Sequence, residues 1–92
     1  MEKYAARAVK HEIDRILWEV WDPIGVNRMS EARDEYSIYV NGVFELLVNG
    51  AADNAIAQHL LEIVINRMEI NEATIEHMRP TVVALRAIAL PS

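Results

Sequence analysis

Trp21-Asp22-Pro23-Ile24-Gly25-Val26 is the stretch on which the reading of this 92-residue chain turns. Pro23 has no amide hydrogen and disfavours helical dihedrals at Asp22, so a helix arriving from the N-terminus must stop here. Asp, Pro and Gly occupy the first, second and fourth positions of a type I turn, where each is favoured. The turn is expected to reverse the chain, with Trp21 and Ile24 buried beneath it and Asp22 hydrogen-bonded to backbone amides. Trp21, Asp22, Pro23 and Gly25 are therefore the structural turn residues. From the sequence, Asp22→Ala is expected to cost about 1 kcal/mol of stability.

Before the turn, Ala5, Val9, Ile13, Ile16 and Val20 recur at helical spacing, and Leu17 and Trp21 widen the stripe. This predicts a helix over about 2–21. After it, Ser30 is the expected N-cap of a second helix over about 31–48, with Glu31, Asp34 and Glu35 in its first turns. Asn49-Gly50 supplies its stop. Gly42 inside that helix points to close packing. A third helix over about 53–68 carries Ile56, Leu60 and Ile63 beside Ala57, Leu61 and Val64, an apolar circumference that predicts a central position. Asn71 is the expected N-cap of a fourth helix over about 72–90, with a hydrophobic staple between Ile70 and Ile75. Its stripe, Ile75, Met78, Val82, Leu85 and Ala89, stays in phase across Pro80, which predicts one helix kinked at that proline. The fold class is all-α: one compact four-helix, bundle-like domain over residues 1–92.

Composition narrows the function. The chain has no cysteine, which removes disulfides, thiolate ligands and a thiol nucleophile. Its net charge of −5 works against nucleic acids and anionic membranes. The acids are concentrated: residues 31–76 hold nine, against only Arg33 and Arg67. No apolar run approaches the roughly 20 residues of a membrane helix, and no leader pattern is visible, so a cytoplasmic, soluble protein is expected.

Chemistry-bearing motifs are sparse. His11, His59 and His77 fall on three different predicted helices. Carboxylate metal sites in helical bundles use repeated Glu-x-x-His. This chain has a single reversed copy, His59-x-x-Glu62. It has no Gly-x-Ser-x-Gly elbow, and Gly25, Gly42 and Gly50 stand too far apart for a phosphate loop. No catalytic residue, metal or cofactor is expected. Trp18, on the less apolar flank of the first helix, and Tyr39 are the expected exposed aromatics.

The turn Trp21-Asp22-Pro23-Ile24-Gly25-Val26, followed by Asp34-Glu35-Tyr36, Tyr39 and Leu60-Leu61-Glu62-Ile63, resembles a group of small bacterial proteins, the Bacillus YugE-like proteins among them. The resemblance covers about residues 10–70 and implies an all-helical cytoplasmic domain without catalytic residues to carry over. By size and charge, though not by motif, the chain also resembles immunity proteins that neutralise bacterial toxins.

The expected function is therefore non-enzymatic: an immunity-type inhibitor that caps a basic toxin domain through an acidic helical face. Glu31, Asp34, Glu35 and Tyr39 are the expected partner-binding residues. Glu62, Glu69, Glu72 and Glu76 form a second acidic group. The alternatives are a homo-oligomeric accessory protein, for example a homodimer, and a small metal-binding or enzymatic domain built on His59 and Glu62.

Overall fold

The computed structural model describes residues 1–91. Among these it holds four α-helices and no strand: α1 Lys3–Ile16, α2 Val40–Val48, α3 Asp53–Asn66 and α4 Ile75–Arg86. The Glu2 carboxylate caps α1, accepting from the Tyr4 and Ala5 amides at 2.8 and 3.3 Å. α1 packs against both α2 and α4, and α4 also carries α3. The expectation that the third helix lies centrally is thus corrected. α3 buries Ile56, Ala57, Leu60, Ile63 and Val64, but its main neighbour is α4. Arg86 near the end of α4 reaches the Asp53 carboxylate and the Ala51 carbonyl, tying it to the start of α3.

α1 does not continue unchanged to Trp21. Leu17–Trp21 form a single π turn, closed by the Asp22 amide on the Leu17 carbonyl at 3.0 Å. A π turn holds more residues than an α turn and rotates the following side chains. Leu17, Trp18 and Trp21 consequently point into the core, whereas Val20, placed on the buried stripe by α periodicity, is exposed. Trp18 is therefore a core residue and not an exposed aromatic.

The second helix is much shorter than the sequence suggests. Residues 30–39 form 3-10 turns, Ser30–Ala32 and Ser37–Tyr39, and only Val40–Val48 is α-helical. Bonds of the i to i+3 type run through the segment, from Ala32 to Met29, Glu35 to Ala32 and Tyr39 to Tyr36. Ser30 makes no capping bond. Two forces oppose an α-helix here. Glu31, Asp34 and Glu35 would repel at i, i+3 and i+4, and Tyr36 is drawn to a partner in the turn at Asp22.

α4 starts at Ile75, with Thr74 and not Asn71 as its N-cap. The chain bends at Glu69, whose φ is +57°, and the Ile70 amide reaches back to the Val64 carbonyl at 3.0 Å. Residues 69–74 therefore stay outside any helix, with a turn at Asn71 and Glu72. α4 runs without interruption through the exposed Pro80 and ends at Arg86, short of residue 90.

Gly42 is tightly faced. A Cβ there would stand 3.2 Å from Nε2 of His59 on α3. Gly42→Ala is expected to gain almost nothing, because the helix-propensity benefit of about 1 kcal/mol is offset by displacing His59. In a His59→Ala background the same change should gain about 1 kcal/mol, a coupling measurable by a double-mutant cycle in urea.

Candidate functional site

The turn after the first helix is closed by the Gly25 amide on the Asp22 carbonyl at 3.1 Å. Asp22 has a φ of +29°, a conformation Asp tolerates better than most residues. Its carboxylate accepts from the Val26 amide at 2.8 Å, the Asn27 amide at 3.3 Å and the Tyr36 hydroxyl at 2.7 Å. The same hydroxyl accepts from the Ile24 amide at 3.3 Å. Gly25 has a φ of +68° and open space where a Cβ would stand, so backbone conformation and not crowding calls for glycine. Trp21 is buried and Pro23 half-buried. Ile24, expected to be buried, is 41% exposed; the buried position under the turn is filled by Tyr36, at 1%.

Tyr36 is the hinge of the arrangement. Its ring packs edge-on against Trp21, with centroids 5.4 Å apart, and tilted against Trp18 at 6.2 Å. Burial and the bond to the Asp22 carboxylate hold its phenol proton well above the ordinary value of 10. The folded state thus retains this proton more tightly than the unfolded chain does. The resulting stabilisation is complete below about pH 10 and is lost as pH rises beyond it. Urea unfolding from about pH 9 to pH 11 should show wild-type stability falling more steeply than that of Tyr36→Phe, by up to about 1.4 kcal/mol per pH unit. Parallel slopes would remove the buried phenol from this role.

The rest of the 30–39 segment is tied to α1 through Asp14. Arg33 pairs with its carboxylate at 3.1 Å while lying 5.2 Å from the Trp18 ring centre, and Ser37 Oγ donates to it at 3.4 Å. This uses the only cation among residues 30–39. Glu31 in the first 3-10 turn, and Asp34 and Glu35 beyond it, are exposed and have no ion-pair partner among the described residues. Tyr39 is half-buried, stacked edge-on against Trp21 at 5.8 Å, so its ring belongs to the packing. The apolar residue that the segment presents is Ile38, 72% exposed, with Met29 at 48% nearby in the chain. Ile38 lies off the apolar face that Tyr36, Val40 and Val43 define at helical spacing, so the sequence reading gives it no role.

The second acidic group is partly satisfied internally. Glu76 pairs with Arg79 at 2.9 Å and Glu62 accepts from Gln58 at 3.3 Å. His11 is exposed, His59 lies against Gly42, and His77 caps α4 by accepting from the Thr74 amide at 3.1 Å. Among the described residues no three His, Asp or Glu side chains are grouped to hold a metal ion. No helix is long and apolar enough to cross a membrane. A cavity of about 440 Å³ lies between α1 and the end of α4, with Ala5, Ala8, Ala84, Ala87 and Ala89 among its lining residues. Its charged residues, Glu12 and Arg15, pair with each other at 2.8 Å.

No protein-family model, curated protein or solved structure matches the chain.

Proposed function

We propose that this chain is a non-enzymatic binding protein, an immunity-type inhibitor that caps a basic bacterial toxin domain in the cytoplasm. The observation that carries the reading is the trio Glu31, Asp34 and Glu35, exposed and unpaired, followed by the 72% exposed Ile38. Unpaired carboxylates leave their field available to steer a basic partner. An apolar side chain beside them can desolvate on contact and slow dissociation. The binding residues are thus Glu31, Asp34 and Glu35, as read from the sequence, with Ile38 taking the role first given to Tyr39. The Asp22–Tyr36 bond and the Arg33–Asp14 pair fix the segment on α1, which lowers the ordering cost of association. The resemblance of the turn to YugE-like proteins favours a bacterial setting.

The test is co-expression with any toxin-like reading frame adjacent to the gene in its host. The expected result is growth rescue by wild type, with a basic partner co-purifying, and weaker rescue by the Glu31, Asp34, Glu35 to Lys variant. Rescue of equal strength by that variant would contradict the proposal.

A homo-oligomeric accessory protein is the second reading. It rests on the exposure of Tyr4 and Val83, at 71% and 70%. Sedimentation of the purified chain separates the two: a monomer at tens of micromolar supports the inhibitor, and a dimer supports the accessory protein.

A further inference from the structure

A cleft of about 260 Å³ opens between the 30–39 segment, α2 and α3, lined by Ile38, Tyr39, Gly42, His59, Ile63 and Arg67. A neighbouring hollow of about 220 Å³ shares His59, Ile63 and Arg67 with it and adds Glu62 and Asn66. Three observations single out this place. Arg67 is one of only two Lys or Arg residues between positions 31 and 76, and the other, Arg33, is held by Asp14. Arg67 itself is exposed and has no ion-pair partner among the described residues. Ile38, 72% exposed, brings an apolar side chain to the same cleft. Gly42, finally, makes room for a ring: outside its own helix a Cβ there would meet only His59, at 3.2 Å from Nε2 and 3.5 Å from Cε1. A helix-interior glycine, unfavourable in itself, thus accommodates an imidazole that lines the cleft, not the backbone of a crossing helix.

We propose that this cleft binds a small monocarboxylate with an apolar body, of the arylacetic or short alkanoic type. The cation sets the head group. A guanidinium presents paired N–H donors that match a carboxylate in a two-point fork. Glu62, whose carboxylate accepts from Gln58 at 3.3 Å, lines the neighbouring hollow and works against a second negative charge. A monoanion is therefore favoured over a phosphate dianion. The apolar lining and the volume set the body. A cavity of about 150 Å³ takes benzene, so one ring or a short alkyl chain fits here. Larger ligands usually occupy about 300–1,000 Å³. An exposed ion pair contributes little alone, so head and body are both needed. The carboxylate comes either from a free acid or from the C-terminal residue of a peptide chain. The site does not rest on the function proposed above, since Glu31, Asp34 and Glu35 do not line it.

The probes are phenylacetate, phenylacetamide and acetyl-Gly-Phe, each titrated to millimolar concentration against the ¹⁵N-labelled chain at constant ionic strength. The expected result is saturable movement of the Gly42, Ile63 and Arg67 amide resonances with phenylacetate. Phenylacetamide, which keeps the size and loses the charge, should bind about tenfold more weakly or less. Arg67→Gln should weaken phenylacetate by a similar factor while leaving the helical circular dichroism unchanged. The comparison of acid with amide uses the wild-type chain, so it decides the matter even where Arg67→Gln fails to fold. A response to acetyl-Gly-Phe equal to that of phenylacetate supports a chain terminus as the source, and a response to phenylacetate alone supports a free acid. No response to phenylacetate, phenylacetamide binding as tightly as the acid, a full response in folded Arg67→Gln, or shifts confined to Lys3, Arg7 and Lys10 on α1 would each overturn the proposal.

Discussion

Asp22→Ala is expected to destabilise the fold by about 3 kcal/mol, well above what a turn or capping residue alone contributes. The increase over the sequence-based figure of about 1 kcal/mol comes from Tyr36. The Asp22 carboxylate holds that buried hydroxyl at 2.7 Å as well as two backbone amides. Hydrogen bonds to a charged group contribute roughly 1.5–3 kcal/mol each, and three on one carboxylate do not add fully. Alanine also fits the φ of +29° less well than aspartate does. For a domain with a stability of about 5–15 kcal/mol this is a large fraction, equivalent to a fall in Tm of roughly 15 °C. Asp22→Asn should recover about half of the loss, since an amide oxygen still accepts and Asn tolerates the backbone. A double-mutant cycle with Tyr36→Phe should give a coupling of about 1.5 kcal/mol. A loss under about 0.5 kcal/mol for Asp22→Ala would mean that the carboxylate is not what fastens the segment.

The second large effect is kinetic. Converting Glu31, Asp34 and Glu35 to Lys replaces three negative charges by three positive ones on a segment whose acids have no internal partners. The fold should be retained, because exposed, unpaired carboxylates contribute little to stability. Association with a basic partner should slow about 100-fold at low salt, within the range by which charge steering accelerates encounter. The difference should shrink as salt rises and the Debye length falls to about 8 Å at physiological ionic strength. Ile38→Ala should act differently, speeding dissociation about tenfold with little change in the association rate. The split matters, because it separates steering by carboxylates from the apolar contact made after encounter.

The helices with clean 3.6-residue stripes were legible in the sequence. α1 and α3 lie close to where the apolar spacing places them, and Asn49-Gly50 and Pro23 mark real stops. The π turn was not legible, since a search for α periodicity assigns Val20 inward and Trp18 outward, the reverse of what the wider turn produces. Residues 30–39 were misread for a different reason. Ser30 followed by Glu31, Asp34 and Glu35 has the local composition of a helix start. Tyr36, however, is fastened to a carboxylate fourteen residues earlier, and a contact of that separation leaves no local trace. Tyr39 packs inward against Trp21 and Ile38 is exposed, so the sequence placed the three carboxylates at the surface but gave Ile38 no role. At α4, Asn71 and Thr74 are both good capping residues. The bend at Glu69 decides between them, and nothing in the composition announces it.

The most direct test of the proposed acidic binding face is the association rate constant of the triple-lysine variant with the basic partner recovered by co-expression, measured by stopped flow at low salt. A fall of about 100-fold that largely disappears at high salt, with unchanged circular dichroism, is the predicted result. A rate equal to wild type at low salt would show that these carboxylates merely solvate a loop and that the partner binds elsewhere.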